Sequence, residues 1–181
     1  MISMKPPLVL FAITAVSVLV IGVLYDITRE PIMQQQIIRE RETIASLLPG
    51  TYEVVQEYVE DFPSVTRRTR GYSQAGELLG YTITATSPAY AGPVEVMVGF
   101  DTTGNLTGVQ ILWQRETPGL GTAILNQAFL DQFAGRTETM SVVRVATGPN
   151  DIQALASATI STAAVVNGVN AAIEYVRGWL D

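Results

Sequence analysis

The feature that most limits this chain is an uncharged run from Pro7 to Tyr25, PLVLFAITAVSVLVIGVLY, 19 residues long. At about 1.5 Å per residue, a helix of this length spans roughly 28 Å, close to the hydrocarbon thickness of a bilayer. Lys5, the only lysine, stands before the run, and Asp26, Arg29 and Glu30 follow it. An uncleaved single-pass anchor is the expectation, with a short N-terminus inside and the rest outside. The positive-inside bias rests on Lys5 and the terminal amine against Arg29. A cleaved signal peptide calls for small residues before the cut, whereas the run ends Val23-Leu24-Tyr25. A buried core helix is the other alternative, and a segment this long and evenly apolar suits a span better.

Two residue types are missing altogether: the 181 residues include no Cys and no His. Disulfides, Cys/His zinc sites, iron–sulfur clusters and His- or Cys-ligated haem are therefore excluded, as is lipid attachment at a cysteine. So are Cys–His dyads, Ser–His–Asp triads and any histidine general base. Redox or acid–base chemistry is left to carboxylates, hydroxyls, Arg or a bound organic cofactor. No metal site and no catalytic residue is expected. After the apolar run, over 26–181, lie ten Arg against 17 acidic residues. That balance leaves no basic footprint for nucleic acid and no attraction to anionic lipid headgroups, so lipid contact is confined to the anchor.

Pro31 suits the first turn of a new helix better than the interior of the membrane helix. Met33, Ile37, Ile44 and Leu48 run roughly in phase up to Pro49-Gly50, which ends the segment. The expected organisation is an anchor over 1–28, an amphipathic stalk helix over 29–50 and a domain over 51–181. Within that domain, Tyr81, Ile83 and Ala85 alternate with Thr82, Thr84 and Thr86. Val94, Val96, Val98 and Phe100 form a second alternating set, and Val109, Ile111 and Trp113 a third. Such alternation predicts half-buried antiparallel strands, the last two joined by a hairpin turn at Asp101–Asn105. Helical spacing over Ala123–Phe133 puts Leu125, Phe129 and Phe133 on one face, and a short strand is expected near Met140–Val145. A final helix over about Ile160–Leu180 carries the apolar stripe Val165, Val169, Ala172, Val176 and Trp179. The fold class is α+β: a transmembrane helix followed by an antiparallel sheet flanked by helices.

Two motifs ask for an explanation. Glu116-Thr117-Pro118-Gly119-Leu120-Gly121 follows the third strand and precedes a helix. Its glycines let the backbone turn sharply and approach a ligand; Leu120 could cover a planar ring, and Glu116 and Thr117 could hydrogen-bond ring heteroatoms. An ordinary strand-to-helix turn accounts for the same residues. Ala156-Ser157-Ala158-Thr159-Ile160-Ser161-Thr162 stands where the last helix begins. Hydroxyls there are ordinarily caps, yet the same helix end attracts phosphate, and small residues at 156 and 158 leave room beside Thr159. Local chemistry leaves both alternatives open.

Together, and in this order, the motifs resemble a family. The run from Tyr90-Ala91-Gly92-Pro93 through Gly104-Asn105-Leu106 to Glu116-Thr117-Pro118-Gly119-Leu120-Gly121 is similar to the FMN-binding G subunit of the Rnf electron-transport complex, called Rsx in some bacteria. That complex is an ion-translocating ferredoxin:NAD oxidoreductase. The resemblance extends to the anchor, to Pro31-Ile32 and to the threonine motif near the C-terminus. It implies covalent FMN, attached by a phosphoester to the threonine of a Ser/Thr-Gly-Ala-Thr sequence by a flavin transferase that uses FAD. The matching residues here are Ala156-Ser157-Ala158-Thr159, making Thr159 the implied acceptor with Ser157, Ala158 and Ser161 around it. Glu116, Thr117, Gly119, Leu120, Gly121 and Tyr90 are the implied flavin-binding set.

Ala156 and Ser157 stand where the family has Ser/Thr and Gly, Gln153 where it usually has Asp, and Gln114-Arg115 where His-Lys is common. The resemblance implies a non-autonomous electron-relay subunit, a translocase component in the bacterial cytoplasmic membrane with its C-terminal domain extracytoplasmic. Its partners would be Rnf membrane subunits A, B, C, D and E, with electron flow coupled elsewhere to Na+ or H+ movement. The related C subunit of the Na+-translocating NADH:quinone reductase is a close alternative, and a flavin-free membrane-anchored adaptor a more distant one.

Overall fold

A computed structural model describes residues 5–180. The first element, α1, is one continuous helix over Lys5–Leu47, 43 residues with Pro31 inside it. The sequence suggests a fresh helix starting at Pro31, but the helix passes through. Proline removes one backbone donor and crowds the carbonyl four residues earlier. The helix formers that follow it, among them Met33, Gln34, Gln35, Gln36 and Glu40, sustain the remaining ladder. The helix is long and apolar enough to cross a membrane. The chain divides into two compact units, 1–41 and 42–181.

In the second unit, β1 (Glu53–Tyr58), β2 (Val65–Tyr72), β3 (Leu78–Pro88), β4 (Pro93–Asp101) and β5 (Leu106–Trp113) form one five-stranded sheet. Its spatial order is its chain order, and every pairing is antiparallel. The expected hairpin turn joins β4 to β5: the Asp101 N–H donates to the Asn105 carbonyl at 2.9 Å, and Gly104 takes a φ of 86°. β1 and β2 are additions to the sequence reading. Arg67, Arg68 and Arg70 break the apolar alternation of β2. Arg68 reaches both the Glu57 carboxylate and the Trp179 ring, the latter at 4.4 Å.

The last helix, α3, runs over Thr159–Leu180 and lies on one face of the sheet. Val165, Val169, Ala172 and Val176 of the expected stripe are all buried against Ile83, Ala85, Val94, Val96 and Val98. Trp179 ends the stripe half-buried, edge-on to Tyr81 at 4.6 Å. Burying these four helix and five sheet side chains contributes on the order of 10–25 kcal/mol before the entropy of ordering the chain is subtracted.

The sheet is not half-buried as the alternation suggests, because its second face is covered too. Thr82, Thr84 and Met97 are fully buried there. Ile44 and Leu47, in the last turn of α1, cluster with Met97 on this face. Glycines stand in register across neighbouring strands, Gly71 opposite Gly80 and Gly99 opposite Gly108. A Cβ at any of these four would come within 3.1 Å of Leu47 or Leu48. The stripe is therefore a groove for the Leu47-Leu48 turn.

The stretch expected as one helix over Ala123–Phe133 is three short pieces. A 3-10 turn covers Gly121–Leu125, α2 covers Gln127–Leu130, and a second 3-10 turn covers Asp131–Phe133. Asn126 is extended (φ −66°, ψ 130°) and interrupts the helical path. Phe129 and Phe133 still share the buried side, edge-to-face at 5.4 Å, while Leu125 turns out to solvent. A parallel pair, β6 (Ser141–Val143) and β7 (Asp151–Gln153), precedes α3.

Candidate functional site

The end of β5 delivers Glu116 into the interior beside the start of α3, where only 5% of it is exposed. Glu116 Oε1 accepts the Ala91 N–H at 2.9 Å, and Oε2 accepts the Ser161 hydroxyl at 2.5 Å. Three segments distant in sequence, the β3–β4 connection, the glycine loop and the first turn of α3, are thereby tied to one carboxylate. Ionised carboxylates make strong acceptors, and a buried one must be satisfied in this way. Glu116 is thus occupied by the protein itself on both oxygens. Gly121 passes directly over it: a Cβ there would stand 2.5 Å from Oε2 and 2.7 Å from the Glu116 Cβ.

The loop over 117–121 turns tightly around Thr117, whose carbonyl accepts the N–H groups of Leu120 (3.2 Å) and Thr122 (3.3 Å). Gly119 has a φ of 78°, the left-handed region that glycine enters without steric cost, and its N–H donates to the Thr122 hydroxyl at 2.9 Å. The outcome is a Leu120 side chain that stays half exposed.

On the far side, Ser157 takes a φ of 64°, the one non-glycine residue with positive φ among those described. Thr159 opens α3, exposed, and its hydroxyl makes no hydrogen bond among the described residues. The first α3 ladder bond runs from the Thr162 N–H to the Ala158 carbonyl at 2.9 Å. The N–H groups of Thr159, Ile160 and Ser161 therefore precede the ladder, and Ala158 has no side-chain oxygen to cap them.

These parts enclose an open cavity of about 580 Å³ lined by Tyr90, Glu116, Thr117, Leu120, Gly121 and the segment 157–161. The structure brings together nine of the ten residues singled out from the sequence; Gly119 shapes the loop without lining the cavity. Ile160 is an addition, exposed at 57% on the cavity wall. Thr162 and the Ala91 backbone are further additions. The Ala91 role comes from a hydrogen bond across 25 residues, for which sequence spacing carries no signal, whereas Thr162 bonds the Ala158 carbonyl four residues back. The cavity has the size of cofactor sites. The first turn of α3 presents N–H groups outside the helix ladder, suited to a phosphate, and the exposed Tyr90, Leu120 and Ile160 add apolar surface suited to a flat ring.

Residues 89–174 match a family model described as the FMN-binding domain. The G subunit of a Na(+)-translocating ferredoxin:NAD(+) oxidoreductase complex from Acetobacterium woodii is 42% identical over 104 residues, covering 55% of this chain and 50% of that relative. The chain thus aligns with half the length of that protein. The G subunit of a proton-translocating ferredoxin:NAD(+) oxidoreductase complex from Clostridium ljungdahlii is 28% identical, covering 89% of this chain and 84% of that one. Among solved structures, the C subunit of a Na(+)-translocating NADH-quinone reductase from Parabacteroides distasonis shares the fold, with a TM-score of 0.51 and 17% identity over 69% of this chain and 77% of that one. The chain is similar to the G subunits of ion-translocating ferredoxin:NAD(+) oxidoreductase complexes, and its residues 89–174 match the FMN-binding domain model.

Proposed function

We propose that this chain is a membrane-anchored electron-transfer subunit that carries FMN as a phosphoester on Thr159 within an Rnf-type oxidoreductase complex. The observation that carries the reading is the cavity itself. It joins the glycine loop to the start of α3 and leaves the Thr159 hydroxyl exposed and unbonded at its edge. Attachment forms a bond from Thr159 Oγ1 to phosphorus while the pyrophosphate bond of FAD breaks; AMP leaves, and the hydroxyl proton passes to a base of the transferase. Bound FMN supplies one- and two-electron chemistry. The chain's own residues do the rest. The N–H groups of Thr159, Ile160 and Ser161 hold the phosphate, Leu120 and Tyr90 cover the ring against water, and Glu116 keeps the two walls joined.

In this reading α1 crosses the cytoplasmic membrane once, the domain lies on the extracytoplasmic side, and a covalent tether prevents loss of the cofactor there. Electrons pass between neighbouring membrane subunits of the complex, with Na+ or H+ movement coupled elsewhere. The fold likeness to a quinone-reductase component favours a second reading, in which the same site serves that complex. The names of the sequence relatives favour the first. Co-purification from the native membrane separates the two, through the identity of the subunits recovered.

The test of attachment is co-expression with a flavin transferase, denaturation and a fluorescence scan of the gel. A fluorescent wild-type band that disappears in Thr159→Ala is expected. A dark wild-type band overturns the reading and favours a flavin-free adaptor.

A further inference from the structure

Thr162 is fully buried on the inner side of the first turns of α3. Its hydroxyl donates to the Ala158 carbonyl at 2.9 Å and accepts the Leu155 N–H at 3.2 Å. The Ala158 N–H in turn donates to the Leu155 carbonyl at 3.1 Å. A threonine inside a helix commonly bonds the carbonyl four residues back. The second bond, to the Leu155 N–H, is what distinguishes this one, because it ties both ends of the 155–158 turn to a single side chain. Inside that turn stands Ser157, in a left-handed conformation that a serine keeps only where its surroundings hold it.

From this we infer that Thr162 is a positioning residue for flavin attachment at Thr159, an inference that rests on the function proposed above. A helix start is ordinarily secured by the hydroxyl of a capping residue folded back on the first free N–H groups. Here the position before the helix is Ala158, and the hydroxyl that secures the turn reaches it from inside the helix. Thr159 is thereby released from any capping duty. Its hydroxyl stays exposed, and the neighbouring N–H groups stay open to a phosphate.

The test uses the full chain co-expressed with a flavin transferase and reads covalent flavin per protein from the fluorescent gel band, with a thermal melt of the same samples. Thr162→Ser keeps the hydroxyl and is expected to label as wild type. Thr162→Val keeps the shape without the hydroxyl and is expected to label at least about tenfold less, the scale of one lost buried hydrogen bond. Adding Ser157→Gly to Thr162→Val should recover part of the labelling, since glycine holds a left-handed turn unaided. Thr162→Ala carries the same expectation as Thr162→Val and replaces it should that variant not fold. Wild-type labelling in Thr162→Val, Thr162→Ser labelling no better than Thr162→Val, or no recovery in the double variant overturns the role of Thr162 alone. A dark wild-type band instead overturns the reading of Thr159, and this inference with it.

Discussion

Glu116 accepts the Ser161 hydroxyl at 2.5 Å across a separation of 45 residues in the chain. The bond joins the glycine loop to the last helix, so the cavity between them has a fixed width. A clasp of this kind is polar and buried, and its worth lies in what its loss leaves unpaired.

Glu116→Ala is expected to lower stability by about 1–3 kcal/mol, because the Ala91 N–H and the buried Ser161 hydroxyl lose their acceptor. Urea unfolding of wild type and variant measures the difference. Equal stabilities would mean that the clasp does not form in solution.

Gly121→Ala should weaken the same clasp by steric means. The added methyl would meet Glu116 Oε2 at 2.5 Å and the Ser161 hydroxyl oxygen at 3.1 Å. A loss of roughly 1–3 kcal/mol follows from forcing extra volume into a filled site. The thermal midpoint checks it, and covalent labelling at Thr159 should fall in parallel.

Ser157→Gly runs in the other direction. At a φ of 64° the serine Cβ crowds its own backbone, and removing it should add about 1 kcal/mol of stability. A lower thermal midpoint for the variant would show that the left-handed turn is absent.

Asp101 gives the β4–β5 hairpin a pH dependence. Partial burial pushes its pKa up, but hydrogen bonds from Thr103 and Asn105 outweigh that effect and hold it at about 2, against an ordinary 3.8. A carboxylate whose folded pKa is depressed stabilises the protein above its unfolded value and loses that contribution as pH falls through the folded one. Asp101→Asn should therefore melt below wild type at neutral pH. The gap should close as pH falls from about 4 towards about 2, and a gap independent of pH would contradict the assignment.

The expectations drawn from periodicity held where one face of an element met the core. Strands β3 to β5, the turn after Asp101 and the stripe of α3 are each written into short-range spacing. They failed where a distant segment intervened. Thr82 and Thr84 of β3 read as a solvent face and are buried, in a sheet whose second face also receives Ile44 and Leu47. The arginines of β2 hid a strand because their partners, Glu57 and Trp179, lie far off in the chain.

By itself the sequence determined an apolar segment of bilayer length, the exclusion of Cys and His chemistry, and two motifs that resemble a flavoprotein family. Each of these is a property of composition or of neighbouring residues. Only the tertiary structure decided that the motifs share one cavity, that Glu116 is bound by protein donors on both oxygens, and that Thr159 keeps an exposed hydroxyl with no hydrogen bond among the described residues while Thr162 is held. The physical reason is that a hydroxyl or carboxylate has no fixed role until its hydrogen-bond partner is known. Those partners lie from 4 to 45 residues away, brought within reach by packing.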